Sequence, residues 1–259
     1  MCDPKEPGFF AEDHKFARGM GWYESLFKKA ISSKAIGEGT VNYSKFHAYP
    51  QAASRIAAAI PDARLIYLAR EPLGRLVSEW KYRRLHSEED RPFDRAIMQE
   101  PDYIETTRYL TQLGVFQKYF PEKQILVLFT EDMHQDLQAT LRRCCQFLGI
   151  DTDFAPDDDE PQNVGHTAVG TTPMIRRIRK IPGFELIRSV LPKEVKTKGF
   201  SFLGQREKNI LVHQQRIEWN PELVRFVRQQ LQEESQSFLV QWGKPKDFWN
   251  FIPDASPVY

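Results

Sequence analysis

One stretch constrains the fold of this chain more than any other: Leu65 to Trp80, with the sequence LIYLAREPLGRLVSEW. It begins with a short apolar run, Leu65–Leu68, which is too short for a typical helix and is typical of a buried parallel strand. Pro72 suits the first position of a helix, where its missing N–H leaves no hydrogen bond unmade. The apolar spacing that follows predicts a helix with one buried stripe, formed by Leu73, Leu76, Val77 and Trp80.

This predicted strand and helix place an arginine where α/β proteins bind ligands. Arg70 follows the strand directly, and the carboxyl ends of parallel strands form the ligand-binding edge of such sheets. Ser78 lies about two turns into the predicted helix. A guanidinium group and a hydroxyl are suitable partners for a phosphate monoester. The residues alone also allow a simpler interpretation, in which Arg70 forms a structural ion pair and Ser78 is an exposed helical serine.

The rest of the chain continues the alternation of strands and helices. A second buried strand is predicted at Ile125–Phe129, and residues 130–132 after it are predicted as a loop. Helices are predicted over four further segments: Ala52–Ile60, 103–120, Leu137–Ile150 and Pro221–Leu239. This alternation predicts an α/β fold with a central parallel sheet and helices on both faces.

Composition narrows the class of protein. The net charge of +1 over 259 residues gives no reason to expect nucleic-acid binding. No apolar run approaches the ~18 residues of a membrane span, and the first residues lack the apolar core of a signal peptide. The chain has 3 cysteines, of which Cys144 and Cys145 are adjacent, and these do not make a disulfide framework. The sequence therefore predicts a cytoplasmic protein without a transmembrane segment.

The sequence contains no motif typical of a metalloenzyme or of a serine hydrolase. The 6 histidines are scattered, and no pair has a metal-ligand spacing such as H-E-x-x-H. The sequence also contains no G-x-S-x-G motif for a serine nucleophile.

Two motifs resemble those of a known enzyme family. Arg70, Pro72, Arg75 and Ser78 form the pattern R-x-P-x-x-R-x-x-S. This pattern resembles the 3′-phosphate-binding motif of sulfotransferases, enzymes that use 3′-phosphoadenosine 5′-phosphosulfate (PAPS). Residues 5–10 read K-E-P-G-F-F and, with the G-x-G-W-Y pattern that follows, resemble the segment of carbohydrate and bacterial sulfotransferases that carries the catalytic glutamate.

Three longer segments extend the resemblance over nearly the whole chain. Residues 34–44 resemble the family's next strand and turn, residues 119–150 resemble its "strand, E-D, helix, F-L-G" region, and residues 242–249 resemble its carboxyl-terminal signature. The resemblance implies a single sulfotransferase domain over residues 1–259, with a P-loop-like three-layer α/β fold.

The resemblance also implies a reaction and roles for individual residues. A sulfuryl group would move from PAPS to a hydroxyl or amine of a sugar, a lipid or a small natural product, without a metal. Glu6 would be the general base, and Lys5 would lie near the sulfonate. Arg70 and Ser78 would bind the 3′-phosphate of PAPS, and Arg216 lies where the family often closes a loop over the nucleotide.

The chain departs from the family pattern at several positions. Gly8 stands where the family usually has histidine or another residue, Val41 replaces a proline, and Gly39 replaces a lysine of some glycosaminoglycan-type members. In the family, a K-x-G-T-[TS] loop that binds the 5′-phosphosulfate precedes the K-E-P segment, which here already begins at Lys5. The sequence therefore predicts that this loop is absent.

Two interpretations follow from the missing loop, and one further class of enzyme shares the sheet topology. The chain is a truncated form of a working sulfotransferase, or it is a non-catalytic relative that only binds its ligand. A nucleotide kinase of similar topology is disfavoured, because the sequence has no Walker-type lysine and no magnesium-binding serine or threonine.

A basic segment at residues 166–200 also allows more than one interpretation. Arg176, Arg177, Arg179 and Lys180 alternate with apolar residues such as Ile175 and Ile178. The segment is either a solvated pair of amphipathic helices, a cap over an anionic acceptor, or a patch that contacts a membrane surface.

Overall fold

The structure is a computed structural model, and it describes residues 1–86, 88–153, 217 and 219–252. The strands are β1 (Leu65–Ala69) and β2 (Ile125–Phe129). Short 3₁₀ helices occupy Lys28–Ala30, Val41–Ser44 and Glu122–Gln124. The α-helices, numbered over the described residues, are α1 (Asp13–Phe16), α2 (Met20–Ser25), α3 (Ala52–Ala59), α4 (Pro72–Leu85), α5 (Phe93–Gln99), α6 (Pro101–Thr107), α7 (Tyr109–Gln117), α8 (Thr130–Gln135), α9 (Leu137–Leu148) and α10 (Pro221–Gln241).

The described residues divide into two compact units. The first unit contains residues 1–72, 104–153 and 227–251, and it includes both strands. The second unit contains residues 73–86, 88–103, 217, 219–226 and 252. Within the part of the chain that the structure describes, no helix is sufficiently long and apolar to cross a membrane.

The two strands pair in parallel, as the sequence predicts. Leu65 lies opposite Ile125, and the register continues to Ala69 opposite Phe129. Because both strands end together, Arg70 and Thr130 leave the sheet at the same edge. This register places the two segments that follow the strands side by side.

The prediction that β1 is a buried strand is wrong for one of its faces. Ile66 and Leu68, which point to the same side of the strand, are 44% and 50% exposed. Ala69, at the end of the strand, is by contrast fully buried. An apolar run therefore identified the strand correctly but overstated its burial.

The predicted helix over residues 103–120 is two helices in the structure. Arg108, between α6 and α7, has φ −77° and ψ 75°, which lies outside the helical region. The Gln112 side-chain amide donates a 2.7 Å hydrogen bond to the Glu105 carbonyl. A continuous helix would give that carbonyl to the backbone N–H of Tyr109, so the side chain compensates for the break.

The segment after β2 also differs from the prediction, because residues 130–135 form α8 and not a loop.

Helix α9 begins and ends at clear local signals. The Asp136 carboxylate accepts a 2.8 Å hydrogen bond from the Ala139 N–H, which caps the amino terminus of the helix. Gly149 ends it with φ 68°, the left-handed conformation that glycine adopts most readily.

In the second unit, α4 packs largely as the sequence predicts. Leu73, Leu76 and Trp80 are buried, and Val77 is partly exposed. The Trp80 indole N–H donates to the Arg91 carbonyl at 3.2 Å. The ring of Phe93 packs edge-on against Trp80, with 5.7 Å between ring centroids.

The amino terminus of α7 is capped by a side chain from α10. The Thr111 N–H donates a 2.9 Å hydrogen bond to Glu234, and burial raises the pKa of the Glu234 carboxyl from 4.5 to about 7. Between pH 4.5 and about 7, the Glu234 carboxyl is therefore protonated in the folded protein and ionised in the unfolded chain.

We expect this proton to make the stability of the protein depend on pH. As the pH rises through that window, the free energy of unfolding should fall by up to about 3 kcal/mol, since each pKa unit corresponds to about 1.4 kcal/mol. Urea unfolding at several pH values should show this slope in the parent chain and a reduced slope in Glu234→Gln. The matched control is Glu233→Gln at an exposed neighbour, and equal slopes in all three proteins would contradict the prediction.

Candidate active site

The amino-terminal segment that carries Lys5 and Glu6 runs beside residues 37–39. The Cys2 N–H donates to the Gly37 carbonyl at 3.1 Å, and the Gly39 N–H donates to the Lys5 carbonyl at 3.2 Å. The side chains of Lys5 and Glu6 are exposed. The strand predicted within residues 34–44 is not formed, and the last four residues of this segment form the 3₁₀ helix Val41–Ser44.

The two phenylalanines of the K-E-P-G-F-F motif lie in the core of the first unit. Phe9 and Phe10 are 0% and 1% exposed. Phe9 stacks on Tyr23 with 4.8 Å between ring centroids, and Phe10 packs edge-on against Tyr23 and Tyr43. Burial of these rings holds the motif to the core and leaves Glu6 at the surface.

A carboxylate, Glu38, organises the residues around this motif. The hydroxyls of Tyr23 and Tyr43 donate to the same carboxylate oxygen, Oε1, each at 2.8 Å. The Thr40 hydroxyl donates to the other oxygen, Oε2, at 2.6 Å. Burial, together with the Glu38 charge, raises the pKa of Tyr23 and of Tyr43, so both phenols stay protonated and act as donors.

The same hydroxyls accept hydrogen bonds from the backbone of the motif. The Gly8 N–H donates to the Thr40 hydroxyl at 3.1 Å, and the Phe10 N–H donates to the Tyr43 hydroxyl at 3.3 Å. Gly8 has φ 66°, which explains why a glycine stands here. Glu38 therefore fixes, through two hydroxyls, the backbone just after Glu6.

Replacing Glu38 with alanine should destabilise the first unit. The substitution leaves the hydroxyls of Tyr23, Tyr43 and Thr40 without their acceptor. Tyr23 is buried and the other two are half-buried, and an unsatisfied buried group costs about 1–3 kcal/mol. We expect the free energy of unfolding, measured with urea, to fall by about 2–4 kcal/mol. Glu24→Ala, at an exposed glutamate of α2, is the control and should change it by less than about 0.5 kcal/mol. Similar losses in both variants would contradict the role of Glu38.

Arg70 lies directly after β1, and side chains hold the peptide group that joins it to Glu71. The Tyr109 hydroxyl donates a 2.7 Å hydrogen bond to the Arg70 carbonyl. On the other side of the same peptide, the Glu71 N–H donates to Glu131 Oε1 at 2.8 Å. Both polar atoms of this peptide are therefore bonded to side chains of the first unit.

The other residues of the R-x-P-x-x-R-x-x-S pattern lie on α4. The Ser78 side chain is exposed, and Arg75 forms an ion pair with Glu79, one turn later, at 2.7 Å. Pro72 is the first residue of α4, as predicted.

The predicted site residues are distributed over both units. Lys5, Glu6 and Arg70 belong to the first unit, and Ser78 belongs to the second. Arg216 and the basic segment 166–200 lie outside the described residues. Among the residues that the structure describes, no group of three or more His, Cys, Asp or Glu side chains is placed to hold a metal ion.

Sequence reasoning assigned no role to three residues that hold the candidate site together: Glu38, which it matched only to the family pattern in residues 34–44, Tyr109 and Glu131. One signal for Glu131 was present. A glutamate lies two residues after the end of each strand: Glu71 after β1 and Glu131 after β2. Parallel strands whose ends are in register bring these two positions together. For Tyr109 no comparable signal exists, because its partner lies 39 residues away on another element.

Comparison with known proteins supports the resemblance seen in the sequence. A family model described as the sulfotransferase domain matches residues 3–169. Heparan sulfate glucosamine 3-O-sulfotransferase 3B1 of Mus musculus is 28% identical over 155 residues, which is 56% of this chain and 38% of that protein. Heparan sulfate glucosamine 3-O-sulfotransferase 6 of Homo sapiens is 27% identical over 154 residues, or 56% of this chain and 43% of that protein. The chain thus spans less than half the length of these relatives.

A solved structure shares the fold. The crystal structure of a sulfotransferase from Alicyclobacillus acidocaldarius superposes with a TM-score of 0.51, covering 82% of this chain and 84% of that one, at 24% sequence identity. This likeness confirms the predicted α/β, P-loop-like fold with a parallel sheet. The family model of the sulfotransferase domain matches well over half of the residues of this chain, so the chain belongs to the sulfotransferase family.

Proposed function

We propose that this protein transfers a sulfuryl group from PAPS to a hydroxyl or amine of an acceptor. The observation that carries the proposal is the placement of Glu6. Its carboxylate is exposed, and the backbone two residues later is fixed by the hydroxyls that Glu38 holds. A positioned and accessible carboxylate is what a general base requires.

The residues present fit one part of the donor nucleotide chemically, its 3′-phosphate. PAPS carries a 3′-phosphate. Arg70 directly follows the carboxyl end of β1, where α/β sheets bind ligands, and its guanidinium is chemically suited to a phosphate. Ser78, whose side chain is exposed on α4, stays a prediction from the sequence motif. Arg216 stays a prediction for the loop over the nucleotide.

The reaction requires only proton transfer and positioning from the protein. When bound, PAPS supplies the sulfuryl group. Glu6 accepts the proton of the acceptor hydroxyl while the new oxygen–sulfur bond forms, and the bond from sulfur to the phosphate oxygen breaks to leave 3′-phosphoadenosine 5′-phosphate (PAP). Lys5, the neighbouring exposed residue, contributes positive charge for the sulfonate. No metal has a role in this scheme.

Carbohydrates are the acceptor class that we propose first. The relatives named above act, by their names, on a glucosamine of heparan sulfate. A panel of glucosamine-containing oligosaccharides, compared with lipid and small aromatic acceptors, tests this choice by product mass. Transfer only to the non-carbohydrate acceptors would refute it.

We also propose a cytoplasmic location. All three cysteines, Cys2, Cys144 and Cys145, are free thiols in the structure, as expected in a reducing compartment. Subcellular fractionation tests this proposal, and recovery in an oxidising compartment would refute it.

A thermal-shift titration of this chain with PAP tests nucleotide recognition directly. At 100 times its Kd, a ligand of the folded state should stabilise the protein by about 2.7 kcal/mol. Adenosine 5′-phosphate, which lacks the 3′-phosphate, is the matched control and should stabilise the protein less. No stabilisation by PAP would refute the proposal, whereas binding without any transfer would identify a non-catalytic binding protein.

A further inference from the structure

The peptide group between Arg70 and Glu71 is held on both of its sides, and this has a consequence for the arginine. Its carbonyl accepts from the Tyr109 hydroxyl at 2.7 Å, and its N–H donates to Glu131 at 2.8 Å. Two side chains from different elements, α7 and α8, thus determine the orientation of one peptide plane.

The Tyr109 hydroxyl is a rigid donor. The residue is 3% exposed, and its ring lies 5.4 Å from that of Phe238, 5.6 Å from that of Trp249 and 6.1 Å from that of Tyr67. Trp249 belongs to the carboxyl-terminal W-G-K-P-K-D-F-W segment. The packing of that segment therefore restricts the motion of the tyrosine that bonds to the Arg70 carbonyl.

The Glu131 carboxylate reaches its partner because of the strand register. Ala69 lies opposite Phe129 at the end of the sheet, and two residues later the Glu71 nitrogen lies 2.8 Å from Glu131 Oε1. The parallel pairing of β1 and β2 thus brings the carboxylate to the N–H that immediately follows Arg70.

We infer that Tyr109 and Glu131 are positioning residues that orient Arg70 toward the 3′-phosphate of the nucleotide. The inference rests on the proposed role of Arg70 in nucleotide binding. A fixed peptide plane restricts the backbone of Arg70, so less conformational entropy is lost when its guanidinium binds a phosphate. Neither residue needs to touch the nucleotide to affect its affinity.

Tyr109→Phe tests the inference with the loss of a single oxygen atom, since the ring and its packing remain. Isothermal titration calorimetry should show the Kd for PAP rising about 3- to 10-fold, as expected for the loss of one hydrogen bond. Tyr119→Phe is the matched control, because Tyr119 is 49% exposed, and it should bind PAP like the parent chain. An unchanged Kd in folded Tyr109→Phe would overturn the inference.

A double-mutant cycle separates positioning from a general structural effect. If Tyr109 acts through Arg70, the double variant should bind PAP no more weakly than Arg70→Ala alone. Additive losses would overturn the inference while leaving the role of Arg70 intact. If Arg70→Ala alone binds PAP like the parent chain, the proposed role of Arg70 is wrong, and the inference is wrong with it.

Glu131 provides a second test if Tyr109→Phe fails to fold. Glu131→Ala removes the acceptor of the Glu71 N–H, whereas Glu131→Gln keeps an oxygen at that position. We expect the alanine variant to weaken PAP binding and the glutamine variant to restore most of it. Equal Kd values for both variants would overturn the inference.

Discussion

Glu6→Gln should lower the rate of sulfuryl transfer by about 10²–10⁴-fold, the usual contribution of a general base. The amide has the shape of the carboxylate but accepts no proton at neutral pH, so the acceptor hydroxyl is no longer activated. The affinity for PAP should not change, because the substitution leaves the phosphate-binding residues untouched. Turnover with radiolabelled PAPS and titration with PAP measure the two effects separately.

The controls for this variant follow from the structure. Glu6 is exposed, so its replacement should alter the free energy of unfolding by less than about 0.5 kcal/mol, and loss of activity cannot then be attributed to unfolding. Glu24→Gln, at an exposed glutamate of α2, should retain full turnover. Full residual turnover in Glu6→Gln would assign the general base to another residue.

Arg70→Ala should produce the opposite pattern. A charge-assisted contact to phosphate contributes about 1.5–3 kcal/mol, so the Kd for PAP should rise about 10- to 150-fold. The affinity for adenosine 5′-phosphate should stay nearly constant, because that nucleotide lacks the group that Arg70 binds. Calorimetric titration with both nucleotides measures the difference.

Arg142→Ala is the matched control for the loss of one positive charge. Arg142 is exposed on α9 in the same unit, and its removal should leave both affinities unchanged. An equal weakening of PAP and of adenosine 5′-phosphate in Arg70→Ala would contradict recognition of the 3′-phosphate and would indicate a general loss of charge or structure.

The two variants together distinguish chemistry from binding. Loss of turnover with intact PAP affinity identifies the proton acceptor, and loss of affinity for the 3′-phosphorylated nucleotide identifies its binding residue. Both residues lie on backbone segments that other side chains hold, Glu6 near the Glu38 network and Arg70 at the peptide bonded by Tyr109 and Glu131.

Much of the fold could be predicted because its signals are local. The five apolar residues of β2, the proline that starts α4 and the glycine that ends α9 each act within a few residues of their own position. The motif residues Lys5, Glu6, Arg70 and Ser78 could be named because short segments around them resemble sulfotransferase motifs, and their roles stay predictions that the variants above test.

The errors in prediction have a different origin. The helix over 103–120 breaks at Arg108, and the amino terminus of α7 is then capped by Glu234, which lies 123 residues after Thr111. The apolar pattern of β1 predicts burial, yet Ile66 and Leu68 are exposed. A strand is buried only where other elements pack on it, and the sequence of the strand does not specify those elements.

By itself, the sequence determined the two strands, the helices α3, α4, α9 and α10 and the family motifs, since propensity, capping and spacing depend on neighbouring residues. Only the tertiary structure decided what supports those motifs. The Glu38 hydroxyl network is bonded to residues 8 and 10, and the Arg70 peptide is held by side chains 39 and 60 residues away. Such contacts depend on the parallel register and on core packing, which bring together residues that no local pattern relates.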